Sequence, residues 1–103
     1  MGIRISSNAG HSSPPYPPND PGAVGSAQSK PLLKGQVEAG LARNMNDAFI
    51  AEAKRLGYSM HDGTQHNGST AEQARTANAF KARLAISWHW NGFSDHRATG
   101  VEI

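Results

Sequence analysis

The stretch Leu84-Ala85-Ile86-Ser87-Trp88-His89-Trp90-Asn91 constrains this chain more than any other. Its apolar opening comes after a helical stretch and reads as a buried strand. A strand of that kind ordinarily leaves the core still carrying apolar side chains. This one ends in Trp-His-Trp-Asn, which puts an imidazole and an amide where a sheet opens into a cleft. Open α/β sheets bind their ligands outside the carboxyl ends of their strands. His89 is therefore the first candidate functional residue. Taken alone it would more simply be a core histidine with both ring nitrogens satisfied, so its partners decide the matter.

Upstream, Gly2-Ile3-Arg4-Ile5-Ser6 alternates apolar and polar, the pattern of a half-buried strand. It runs into Ser7-Asn8-Ala9-Gly10-His11-Ser12-Ser13, small residues that allow a tight turn beside a site. His11 thus occupies the same kind of place as His89. Pro14 to Gly22 is too proline-rich for helix or central strand, and its Asp20-Pro21-Gly22 ending predicts an ordered loop. From Gln36 the period changes to helix, with Val37, Leu41, Met45, Phe49 and Leu56 as the apolar stripe. Gly57 is the expected C′ residue, and Glu38 lies in the first turn, where the helix dipole favours a carboxylate. Tyr58-Ser59-Met60 reads as a second strand, and 61–68 as a polar loop whose His61 and His66 are solvated. A second helix opens at Ser69 or Thr70, with Glu72 or Gln73 placed for a capping box and Ala71, Ala74, Ala77 and Phe80 inward. After the Leu84 strand come a loop, Gly92 to Arg97, and a fourth strand, Gly100 to Ile103. This order predicts a single domain over 1–103 of α/β class, a mostly parallel twisted sheet flanked by helices.

Composition narrows the chemistry. There are no cysteines, which removes disulfides, thiolate metal sites and cysteine nucleophiles together. Any metal must be held by histidine and carboxylate. The net charge of +2 is mildly basic, and no cluster of Lys and Arg forms a nucleic-acid stripe. No run reaches membrane-spanning length, and Met1-Gly2-Ile3-Arg4 lacks the features of a signal peptide. Within these bounds His11, Glu38 and His89 stand at element ends. Two imidazoles and one carboxylate, with water in the fourth position, make a catalytic zinc set. As bare spacing the triple is weak, because a chain with five histidines offers several.

The surrounding words are more specific. Gly10-His11-Ser12, Asp20 to Gly25, Val37-Glu38, Ala71 to Asn78, Ile86 to Asn91 and Gly100-Val101-Glu102 follow one another in a recognisable order. Together they resemble the zinc-dependent N-acetylmuramoyl-L-alanine amidases of the amidase-3 type, the catalytic domains of bacterial autolysins and phage endolysins. The resemblance runs along the whole chain. It implies that His11, Glu38 and His89 are zinc ligands. The implied reaction is hydrolysis of the lactyl–L-alanine amide of peptidoglycan by a zinc-bound water, a cell-wall-degrading activity at the bacterial wall.

One departure qualifies it. In the family a glutamate on a late strand serves as acid/base partner, and this chain has no counterpart to it, since Glu102 belongs to the Gly-Val-Glu word. The resemblance therefore implies a domain truncated at its C-terminal end, whose acid/base residue is unknown. The rival expectation is a catalytically weak or inactive module that keeps the zinc site and binds peptidoglycan. An uncovered sheet edge would then favour self-association. Trp88 and Trp90 are expected in sheet packing and partial exposure respectively, with a saccharide-binding wall as the alternative.

Overall fold

The computed structural model describes residues 2–11, 38–66 and 70–89. They form an α/β fold: a three-stranded parallel sheet with two helices. The strands are β1 (Arg4–Ala9), β2 (Ser59–Asp62) and β3 (Leu84–Trp88), in the order β2-β1-β3. The helices are α1 (Glu38–Arg55) and α2 (Thr70–Ala79), and a 3₁₀ turn, Gly63–His66, follows β2. Among the described residues no helix is long and apolar enough to cross a membrane. The proline-rich loop, Val37, Ser69, Trp90, His96, the Gly92–Arg97 loop and the expected fourth strand lie outside the described residues.

β1 differs from the expected half-buried strand. It extends to Ala9, and every residue from Ile5 to Ala9 is buried. The cause is its central position, hydrogen-bonded to a parallel neighbour on each side. Ser7, Asn8 and Ala9, read as turn, are therefore strand like Ser6 before them, and the polar side chains of Ser6, Ser7 and Asn8 need partners. Ser7 and Ser6 point to opposite faces. On the first face Ser7 Oγ donates to Asn46 Oδ1 of α1 at 2.5 Å. On the other, Ser6 Oγ lies 3.0 Å from His61 Nδ1, and the His61 ring stacks on Phe80, just past α2.

α1 buries a different stripe from the expected one. Its buried positions are Glu38, Ala39, Ala42, Asn46 and Ala53, while Met45 and the following Leu56 are exposed. Small side chains let the helix lie close to the sheet, and Asn46 supplies the anchor. Besides accepting from Ser7, its Nδ2 donates to Asp62 Oδ1 at 3.0 Å and to Thr64 Oγ1 at 3.2 Å. Thr64 Oγ1 in turn accepts from the Ala9 amide at 2.8 Å. This hub ties β1, α1, β2 and the 3₁₀ turn together, and no buried side-chain polar atom among the described residues lacks a partner.

The helix ends follow backbone logic. Gly57, at φ 94°, ends α1 in a Schellman motif: its amide donates to Lys54 and that of Tyr58 to Ala53, both at 3.0 Å. α2 ends the same way, with Lys81 at φ 59° in the C′ role. Its expected inward face is only partly correct, since Ala77 is buried with Thr76 whereas Ala71 and Ala74 are exposed. Glu72 pairs with Arg75 one turn on. On α1 the exposed Arg55 guanidinium likewise holds the Glu52 carboxyl below its ordinary range.

The other two strands also depart from expectation. β2 runs on through His61 and Asp62, which were expected in a loop, because both pair with β1. β3 was expected to be buried, yet Leu84, Ala85 and Ser87 are exposed. It is an edge strand of the described sheet, joined to β1 alone.

Candidate metal centre

The parallel pairing of β1 and β3 brings their carboxyl ends side by side, with Ala9 opposite Trp88. The Gly10 amide extends the ladder by one step, donating to the Trp88 carbonyl at 2.7 Å. Each strand then gives up a histidine: His11 two residues past β1, and His89 one past β3. Glu38, the first residue of α1, reaches the same place and is buried. His11 Nε2 lies 3.2 Å and His89 Nδ1 3.0 Å from the same oxygen, Oε1 of Glu38. The two rings meet edge-to-face, with centroids 5.1 Å apart.

Two backbone features hold this arrangement. His11 sits at φ 60°, in the left-handed region. A side chain there carries a cost of about 1–3 kcal/mol, of a kind concentrated at ligand sites. Gly10 is required by contact: a Cβ on it would lie 2.4 Å from His89 Cε1. Trp88 is fixed beneath, its Nε1 donating to Ser7 Oγ at 3.0 Å and its ring 5.4 Å from that of Phe49. That is the expected packing role.

The donor set fits a metal ion. One candidate ligand atom from each of His11, Glu38 and His89 can be chosen so that all lie within 4.8 Å of one another. Neighbouring ligands of a tetrahedral zinc-like ion are about 3.4 Å apart, given bonds of about 2.0–2.2 Å. The two histidine–carboxylate distances, 3.2 and 3.0 Å, are already close to that value. Side-chain rotation can close the remainder, since His89 is 47% exposed and His11 27%. Two imidazole nitrogens with one anionic oxygen suit a borderline divalent cation.

Among the described residues this is the group that could hold an ion. His61 stands apart, bonded to Ser6 and stacked on Phe80. His66 closes the 3₁₀ turn. Sequence reasoning singled out neither Gly10 nor Ser87 as site residues, although both stand inside words that contain a candidate ligand. Ser87 Oγ lies 3.2 Å from His89 Nε2 and donates to Asn8 Oδ1 at 2.8 Å. The available signal was periodicity: two residues before His89 on a strand is the same face. No protein-family model, curated protein or solved structure matches the chain.

Proposed function

We propose that the chain is a zinc-dependent N-acetylmuramoyl-L-alanine amidase domain acting on peptidoglycan at the bacterial cell wall. The observation that carries this reading is the convergence of His11 and His89 on the buried carboxylate of Glu38. Zinc bound there would supply Lewis acidity, polarising the amide carbonyl and bringing water's pKa toward about 7. The protein's own part is to hold two neutral nitrogens and one anion in place. Glu38, 6% exposed, would direct its carboxylate at a bound cation instead of the solvent. The exposed flanks of the two imidazoles leave an approach for an extended wall polymer. The amidase words around the ligands support the choice of substrate.

A second reading is favoured by one feature of the cluster. Its single carboxylate is itself a ligand, so no second acid within the group can protonate the leaving amine. A positioned general acid contributes about 10²–10⁴-fold to such a step. Without one, the chain would act as a zinc-holding module that binds the wall and cuts it slowly. Purified sacculi separate the two. Release of L-alanine amino groups, abolished by chelation and restored by zinc, supports the amidase. Zinc-dependent co-sedimentation without amine release supports the binding module. Release that survives complete removal of zinc refutes both.

A further inference from the structure

We propose that Ser87, oriented by Asn8, is a positioning residue that holds the His89 proton on Nε2 and so assigns Nδ1 as the ligating nitrogen; this rests on the metal-binding reading above. A hydroxyl has one proton to give. Ser87 Oγ gives it to Asn8 Oδ1, at 2.8 Å. Toward His89 Nε2, at 3.2 Å, the same oxygen can then only accept. An acceptor there requires a proton on Nε2. The other nitrogen, Nδ1, faces Glu38 Oε1 at 3.0 Å. An imidazole nitrogen and a carboxylate oxygen that close need a positive centre between them, a proton or a metal ion. With Nε2 spoken for, Nδ1 is the nitrogen that meets the ion.

The fold makes this assignment stable. Asn8 is buried in the central strand, and Ser87 is its partner across the β1–β3 ladder. The acceptor is therefore set by strand register. Ligating histidines generally give their second N–H to such a partner, and losing it costs about 10–100-fold in metal affinity.

The test uses the whole chain loaded with zinc. Long-range ¹H–¹⁵N spectra of the histidine rings report which nitrogen carries the proton. Zinc affinity is measured in parallel by competition with a chromophoric chelator. The expected spectrum shows His89 protonated at Nε2 and bound through Nδ1. Ser87→Ala should weaken zinc about 10–100-fold, with Ser87→Thr restoring it, because threonine keeps the hydroxyl. Ser87 is exposed on a strand at the edge of the described sheet, so the alanine variant should fold, and its unfolding midpoint checks this. Zinc bound through Nε2, or affinity unchanged in a folded Ser87→Ala, overturns the inference and leaves the metal reading standing. A wild-type chain that takes up no zinc overturns both.

Discussion

Glu38 holds the only negative charge in its cluster while lying at the start of a helix, and the two roles predict different losses. As a ligand it should matter to zinc more than Ser87 does. As a dipole partner it would contribute only about 0.3–1 kcal/mol to folding. Glu38→Gln is therefore expected to lower zinc affinity by more than the about 100-fold upper value for an outer partner, with little change in apo-protein melting. The reverse result, intact zinc binding with a lowered melting temperature, would make it a helix-terminal carboxylate only. Gly10 makes a steric argument instead. Gly10→Ala puts a methyl where the His89 ring lies, 2.4 Å from Cε1. The half-exposed ring should swing aside, so titration should show zinc binding weakened by about tenfold, equivalent to about 1.4 kcal/mol. An unchanged affinity would mean that His89 is not held against that backbone. The candidate ligand types were legible in the sequence because the chain has no cysteine and His89 breaks an apolar run. Their outer partners were not. Ser87 and Asn8 act only once two strands distant in sequence are placed side by side.

At the scale of elements, buried polar residues misled pattern reading along the second half of β1 and on α1. Ser7-Asn8 resembles a turn by composition, and only the Asn46 hub and the neighbouring strands make it tolerable as core. The α1 stripe slipped for the same reason: an asparagine at the centre of a buried face carries no apolar signal. The hub's value is measurable. Asn46→Ala removes three side-chain hydrogen bonds and strips partners from Ser7, Asp62 and Thr64. A loss of about 2–3 kcal/mol in urea unfolding is expected, and a loss under about 0.5 kcal/mol would show that water replaces the amide without penalty. Helix ends were easier to read where glycine marks them, as at Gly57. The end of α2 lacks that mark, because Lys81 occupies the left-handed position. Lys81→Gly should accordingly raise stability by up to about 1 kcal/mol without touching zinc affinity. A destabilised variant would mean that the lysine side chain contributes more than its backbone strain costs.

The described part of the molecule is built around a small, polar centre, and its largest apolar side chains are partly outside. Ile3, Met45, Leu56, Tyr58 and Leu84 are all exposed, Leu56 by 60%. A hollow of about 230 Å³ between Ile5, Phe49, Glu52, Ala53, Leu56 and Tyr58 lies where β1 and β2 begin, at the end of the sheet away from the His11–Glu38–His89 group. With β3 also at the edge of the described sheet, the chain is expected to self-associate. Sedimentation should show a mass that rises with concentration, and Leu84→Lys should reduce it, since charge on an edge strand opposes pairing. A monodisperse monomer at high concentration would refute this. The polar centre bears on biosynthesis as well. β1 is made first but completed last: Ser6 meets His61 across 55 residues, and Asn8 meets Ser87 across 79. Such distant pairings make folding slow. During that delay a valine-rich central strand would be a hazard to the nascent chain. Ser6, Ser7 and Asn8 can remain hydrated while they wait, so the sequence that complicates the core also protects the strand until its partners emerge.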